Sequence, residues 1–364
     1  MKSCTIIIAV GCIVLLVPLA ATAQSICTNC HFSVSNGMHA AGVGACNMCH
    51  TMHNSQDGML VDPDSPGGNQ FLLNDSTPSD VCLNCHAGFV SETLGLDPLN
   101  PPNEIGAGNY VFLMEDNLND AFGGATNPIP GDAAGHNINA PSEGLSSDGT
   151  LVTSPGGNFP SSALGCTSCH DPHGNDGFRM LNGVGPVQNG IFSFSAPRPD
   201  GFGLSIYHGN ERANSHTAYN SGFSEWCGNC HGGFHNNTTA FVHPSGMDMG
   251  APISAAYNIY NGSEDPLGGA TGTAYLAQVP FEDSAVSYTS TEGPSAGSRI
   301  MCLTCHRAHA SSAPDAGRWD FSVTLLSDDG VESGSYPLPD PYGSTAQRSL
   351  CNKCHAKDMF DQAP

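Results

Sequence analysis

Apolar and polar positions follow no lasting period along most of this 364-residue chain. The exception comes first: residues 5–19 are almost uninterruptedly apolar, behind Lys2 and ahead of Ala21-Thr22-Ala23. A positive n-region, an apolar core of that length and an A-x-A site describe a secretory signal peptide, residues 1–23, with a mature chain starting at Gln24. A lipoprotein site at Cys12 is the alternative, but it would need a leucine-like residue where Ala9 stands. No later stretch approaches the roughly 20 apolar residues that span a bilayer. The expected product is therefore exported through the periplasm and secreted to the outer cell surface, without a transmembrane span in the mature chain.

Beyond the signal, helical periodicity is confined to short pieces at 253–260 and 273–278, and the best strand-like run is 322–326. The 44 glycines and 26 prolines interrupt everything else, well above their usual share of a globular sequence. The pattern predicts a mostly irregular fold with short helices and few strands. Residues 24–364 read as one domain, with the long 87–165 interval, rich in Gly and Pro, as an extended surface wrap. So loop-rich a chain buries too little apolar surface of its own to offset its conformational entropy.

Charge narrows the partners. With 33 acidic and 10 basic residues the formal net charge is −23, which excludes nucleic acid. Solvation of an exported surface accounts for it, and attraction of cationic partners or metal ions is the functional alternative.

The cysteines supply what the apolar pattern lacks. Fourteen of the sixteen fall in seven Cys-x-x-Cys-His units: Cys27/Cys30/His31, Cys46/Cys49/His50, Cys82/Cys85/His86, Cys166/Cys169/His170, Cys227/Cys230/His231, Cys302/Cys305/His306 and Cys351/Cys354/His355. Two intervening residues let both thiols reach the vinyl groups of one haem, and the following histidine takes the iron. Disulfides, zinc ribbons and thioredoxin-like pairs use cysteine pairs too, but none requires a histidine after every second cysteine. Seven covalently bound haem c groups are expected, each an apolar body and a covalent staple for a chain that needs both. The fold class is thus a haem-templated, elongated multihaem cytochrome c.

Nine further histidines are available as distal ligands: His39, His53, His136, His173, His208, His216, His235, His243 and His309. They suffice to close seven irons as bis-histidine, low-spin centres that carry electrons and leave no open position for substrate. His53, His173 and His309 stand three residues after a proximal histidine and His235 stands four after one. Such neighbours project from one side of a turn, whereas axial ligands approach opposite faces of a ring. Each is expected to serve a neighbouring haem, which would hold adjacent haems close.

The segments Cys46-x-x-Cys-His-Thr-Met-His-Asn-Ser55, Gly135-His136-Asn137-Ile138, Ser168-Cys-His-Asp-Pro-His-Gly174, Ser224-Glu-Trp-Cys-x-Asn-Cys-His231, His243-Pro244, Cys305-His-Arg-Ala-His-Ala-Ser311 and Leu350-Cys-Asn-Lys-Cys-His-Ala-Lys-Asp358 resemble the OmcS-like filament-forming outer-surface multihaem cytochromes, the cytochrome nanowires. The resemblance runs from about Gly42 to the C-terminus. It implies bis-histidine haems in a homopolymeric filament for extracellular electron transfer, with other redox proteins and extracellular acceptors as partners. It implies distal roles for His53, His136, His173, His235, His243 and His309, with His53 crossing to the next subunit.

The Cys27 unit has no counterpart in that family, whose pattern has six haems. Its distal ligand is sought first at His39, which arrives in the same additional segment, then at His208 and His216. Two other functions stay open: a monomeric periplasmic electron shuttle, and a multihaem reductase with one open iron. The second is disfavoured by the surplus of histidines and by the absence of any Cys-x-x-Cys-Lys unit; the reading is an electron carrier, not an enzyme.

Overall fold

In the computed structural model the described residues are 48–56, 58–87, 93–95, 106–114, 133–203, 211–235, 244–262, 268–326, 339–343 and 347–355. The signal peptide and the first haem unit lie outside them. Coil and turns dominate, as the glycine and proline content requires. Four α-helices are described, α1 Pro78–His86, α2 Cys166–Cys169, α3 Phe223–His235 and α4 Gly250–Ile259. The strands β1 Ser55–Gln56, β2 Met59–Leu60, β3 Gly185–Val187, β4 Phe192–Phe194, β5 Asp200–Phe202 and β6 Ala218–Ser221 pair consecutively as three antiparallel ribbons. Their registers place Ser55 opposite Leu60, Pro186 opposite Ser193 and Phe202 opposite Ala218.

Three of the four helices carry a haem unit. In α1 the start is written locally: Thr77 accepts the Asp80 amide at 3.1 Å, Asp80 Oδ2 accepts the Thr77 amide at 3.1 Å, and Pro78 takes the first helical position, a capping box. The unit then occupies the C-terminal turn, ending at His86. In α3 the backbone departs from helical geometry at His231 (φ −117°, ψ 38°), so the proximal imidazole leaves the helix direction at the residue that has to meet iron.

The described core is divided into four hydrophobic clusters. One joins Leu83 of α1 to Leu94, Tyr110, Val111, Phe112, Ile138 and Ala310. Another sets Tyr257 of α4 against Phe281, Trp319 and Leu350. Smaller ones gather Phe159, Val187 and Phe194, and Tyr219, Phe223 and Met301. Division into small clusters is what a chain organised around several separate apolar prosthetic groups would need. Lys353, inside the last haem unit, is 1% exposed. Its Nζ donates to Tyr257 O at 2.7 Å and lies 4.1 Å from the Tyr257 ring centre, and burial lowers its pKa to about 7.

Three local expectations are corrected. The 253–260 helix is present as α4, but 273–278 is not helical. Beyond a short 3₁₀ turn Thr271–Thr273, Tyr275, Leu276 and Ala277 are buried in succession, and the Tyr275 amide bonds to Thr291 O at 3.1 Å. The 322–326 run forms no strand, because Asp320 Oδ1 takes both the amide and the hydroxyl of Ser322 at 2.7 and 2.6 Å, a side-chain turn that outcompetes the ladder. Only Leu325 bridges, to Arg348. The 87–165 interval is a surface wrap only in part: most of 141–158 is exposed, but the stretches around 110 and 138 are core. Tyr110, Val111, Phe112, Ala134, Ile138 and Ala140 are at most 5% exposed, because this segment supplies the apolar cover for α1.

Candidate haem-binding and electron-transfer site

Consecutive haem units lie side by side. The Cys82 thiol hydrogen-bonds to that of Cys166 and lies near Cys49. The Cys227 thiol likewise bonds to Cys302, Cys169 neighbours Cys230, and Cys305 neighbours Cys351 and Cys354. Chain order and spatial order therefore coincide through the described units.

Every other described haem cysteine is half-buried, but Cys85 is exposed. The reason is the helix itself: α1 turns Leu83 into the core at 1% exposure, and Asn84 and Cys85 follow on the solvent side. His355 is half-buried and follows a 3₁₀ turn, Leu350–Lys353, instead of an α-helix. Its amide donates to Cys351 O at 3.0 Å and its carbonyl accepts from Asn352 Nδ2 at 3.2 Å. These bonds fix the backbone of the Cys351 unit, and the role of the His355 imidazole on iron remains an expectation from the motif.

Four proximal histidines share one device. His50 Nδ1 bonds to Phe71 O at 2.9 Å, His170 Nδ1 to Arg179 O at 2.8 Å, His306 Nδ1 to Asp315 O at 2.8 Å and His231 Nδ1 to Pro155 O at 2.8 Å. An Nδ1–H given to a carbonyl fixes the tautomer that leaves Nε2 bare for a metal and makes it more basic. The same tautomer serves His136, whose Nδ1 bonds to Ala308 O at 2.8 Å.

Three of these acceptors come from one recurring clasp. After each Cys-x-x-Cys-His-x-x-His segment the chain returns in a 3₁₀ turn, Gln70–Leu72, Phe178–Met180 or Pro314–Ala316. The turn pairs back on the unit through the bridges His50 to Leu73, His170 to Leu181 and His306 to Gly317. In every case the acceptor carbonyl belongs to a left-handed residue, Phe71 (φ 58°), Arg179 (φ 50°) or Asp315 (φ 60°). That conformation costs a non-glycine residue on the order of 1–2 kcal/mol, and the flanking bridge hydrogen bonds hold it. Asn74 N to Cys49 O at 2.9 Å, Asn182 N to Cys169 O at 2.8 Å and Arg318 N to Cys305 O at 2.7 Å close the clasps. Reasoning from the haem motifs alone missed these residues. The available signal was the Leu-Asn ending shared by Gln70-Phe71-Leu72-Leu73-Asn74 and Phe178-Arg179-Met180-Leu181-Asn182.

His231 obtains its carbonyl differently. Gly156 O accepts the Gly233 amide at 2.6 Å, Ser154 Oγ donates to Cys230 O at 2.5 Å, and a Cβ on Gly157 would fall on Cys230 O. The contact is backbone on backbone, so Gly157→Ala is expected to cost about 1–3 kcal/mol by overpacking, read as a lower unfolding midpoint of the holoprotein.

Pairs of imidazoles stand at metal-bridging separation. Two metal–nitrogen bonds of about 2 Å on opposite sides, with about 1 Å more to each ring centre, put the centres of two axial imidazoles about 6 Å apart. The His50 and His173 centres are 6.4 Å apart, those of His170 and His309 6.4 Å, and those of His231 and His136 5.9 Å. His173 and His309 thus face the proximal histidine of another unit and not the one three residues before them. Burial holds the inner imidazoles neutral, the state iron requires. It lowers His309 to about 3, with His170 nearby, and His231 to about 4, with His136 nearby; His136 and His306 are also lowered, mainly by burial.

His136 and His309 stand on adjacent backbones. His136 N donates to His309 O at 2.9 Å, His309 N to Ala107 O at 2.8 Å, and Asn109 N to Ala310 O at 2.8 Å. Gly108 (φ 86°) and Gly135 permit this approach, since a Cβ on either would fall on the 309–310 backbone. Tyr110 stacks on His309 at 4.6 Å.

The remaining candidates divide. His53 is exposed beside Thr51, Asn54 and Leu72. His235 is half-buried on α3, and among the described residues no histidine ring is seen opposite that of His306. His216 lies between two carbonyls: its Nδ1 meets Thr217 O at 2.9 Å and its Nε2 meets Ser290 O at 2.8 Å, with the ring stacked 3.7 Å from that of Tyr275. Cys27, Cys30, His31, His39, Cys46, His208 and His243 lie outside the described residues.

No family model matches the sequence. The chain is 32% identical to the C-type cytochrome OmcS of Geobacter sulfurreducens, across 88% of its own length and 94% of that protein. Its fold is similar to the solved outer membrane cytochrome S filament of that organism, with TM-score 0.74, and to the OmcS nanowires determined by cryo-EM, with TM-score 0.70, each at 28% identity over 88% of this chain and all of the other. Among the described residues no helix is long and apolar enough to cross a membrane. With identity of that extent and a shared fold, the chain belongs to the OmcS family of c-type cytochromes, which carry covalently bound haem c.

Proposed function

We propose that this protein conducts electrons along a continuous file of seven bis-histidine haems, polymerised outside the cell into a filament of identical subunits. The observation that carries the reading is the set of imidazole pairs about 6 Å apart, each joining one haem unit to a histidine from another part of the chain. The coincidence of chain order with spatial order supports a single path. Haem supplies the reversible one-electron chemistry. The protein contributes the two thiols, the neutral imidazoles, the carbonyls that orient them, and apolar cover.

The proposed distal set is His173 for the Cys46 unit, His309 for the Cys166 unit, His136 for the Cys227 unit, with His235 and His243 on further irons and His39 or His208 on the Cys27 unit. His86 and His355 are the proposed proximal ligands of the Cys82 and Cys351 units. His53 would serve the Cys302 unit of the next subunit. Its exposure and the lack of a described imidazole opposite His306 favour that assignment, and the filaments formed by the solved relatives favour the polymer. Export by a signal peptide ending at Ala23 would bring the filament to the outer surface.

The experiment is native mass spectrometry joined to spectroscopy. The mature chain is expected to carry seven haem masses and no disulfide, to show a wholly low-spin oxidised spectrum, and to bind negligible carbon monoxide when reduced. Six haems would show the Cys27 unit unused, and stoichiometric carbon monoxide binding at one haem would favour a reductase.

A further inference from the structure

Five imidazoles of the haem units and their partners aim Nδ1 at a backbone carbonyl, namely His50, His136, His170, His231 and His306. His235 does not. Its Nδ1 is buried without a hydrogen-bond partner. On the same helix the Oε2 of Glu225 is also buried without a partner. Both side chains converge on Gly246, a left-handed glycine (φ 78°). A Cβ there would lie 3.1 Å from His235 Cε1 and 3.3 Å from Glu225 Oε1, the other oxygen of the carboxylate whose Oε2 is orphaned. An orphaned donor and a carboxylate with an orphaned oxygen, brought to one glycine, satisfy each other's desolvation cost if they pair.

We infer that Glu225 is a positioning residue, accepting the Nδ1–H of His235 so that this one haem ligand is a carboxylate-polarised imidazole among carbonyl-bonded ones. The inference builds on the reading of His235 as a distal ligand. Iron on Nε2 obliges the proton to sit on Nδ1, which therefore needs an acceptor. The neighbouring hydroxyl of Ser224, near Cys302, is also buried without a hydrogen-bond partner, but a neutral hydroxyl is a weaker acceptor than a carboxylate. His309 Nδ1 is likewise without a partner, but that ring stacks on Tyr110 and not beside a carboxylate. Glu225 keeps its other oxygen toward Arg299 Nη1 at 4.0 Å, and the same guanidinium reaches Asp248 at 3.2 Å and Glu282 at 3.9 Å. Arg299 thus holds the carboxylate in place while Gly246 leaves room for the contact.

A carboxylate on Nδ1 increases the basicity of the bound imidazole. It therefore favours ferric over ferrous iron and lowers the potential of the haem that His235 serves. The test is a spectroelectrochemical titration of the holoprotein, with electron paramagnetic resonance of the oxidised form. In Glu225→Gln the amide oxygen still accepts the proton without the charge. One haem's share of the reductive titration should move to higher potential and one low-spin signal should change its g-values. Glu225→Ala should shift that share further. Titrations of Glu225→Gln and Glu225→Ala that superimpose on the wild type would overturn the inference. His235→Ala separates the two claims: it opens one iron to carbon monoxide if His235 is a ligand, and if every iron stays closed, it is the ligand assignment that fails.

Discussion

His53→Ala is expected to abolish or severely shorten filaments while every haem stays attached. The thiols of the Cys46 unit and His50 are untouched by the change, so covalent maturation proceeds. His53 cannot close the iron held by His50, since His173 faces His50 at 6.4 Å. Its exposed imidazole is available to another copy. If it binds the Cys302 unit of the next subunit, assembly and iron closure are one event, and the interface gains coordination energy in addition to its buried area. The variant should show one carbon monoxide-binding, high-spin haem per subunit by optical and resonance spectroscopy, and only short oligomers by electron microscopy. Normal filaments with all haems low-spin would refute the bridging role and direct attention to His39.

His309→Ala is expected to interrupt the path in its interior. The ring of His309 faces His170 at 6.4 Å, so the Cys166 unit should become five-coordinate and bind one carbon monoxide. The consequence extends to its neighbour only through the backbone, because His309 O holds the His136 amide and the substitution keeps that carbonyl. His136→Ala should therefore open a different haem, that of the Cys227 unit, and the double variant should open two. A double variant that opens one haem, or a His309→Ala protein with all irons closed, would show that the pairs read from ring geometry are not the ligand pairs. Filament length should be near wild type in both single variants, in contrast to His53→Ala. Conductance along the filament should fall, since one step in the series is slowed.

Much of the chemistry was legible in the sequence, because haem attachment is a covalent demand satisfied within five consecutive residues. The Cys-x-x-Cys-His spacing identifies thiols and proximal histidine without reference to fold, and the three-residue offsets of His173 and His309 already exclude their own irons on helical geometry. Local rules also captured α4 and the dominance of coil. They failed at 273–278 and 322–326, where a distant carbonyl and the Asp320 side chain won over periodicity, and in part of the 87–165 interval, where the neighbourhood of α1 turned the stretches around 110 and 138 into core. The motif also carries no information on cover: Cys85 and Cys82 are equivalent in it, yet the direction of α1 leaves only Cys85 exposed.

What the sequence by itself determined is the seven Cys-x-x-Cys-His units and with them the expected haem sites, the apolar leader-like start, the acidic charge and the supply of spare histidines. Only the tertiary structure decided which imidazole faces which, because His136 and His231 are 95 positions apart in the chain and meet through backbone contacts at Gly135, Gly156 and Gly157 that no motif encodes. It alone placed His216 between two carbonyls, and it alone supplied the left-handed carbonyls of Phe71, Arg179 and Asp315. A covalent clamp is written in neighbouring residues. The orientation of its histidine depends on a peptide group brought from elsewhere, and that is a property of the folded chain.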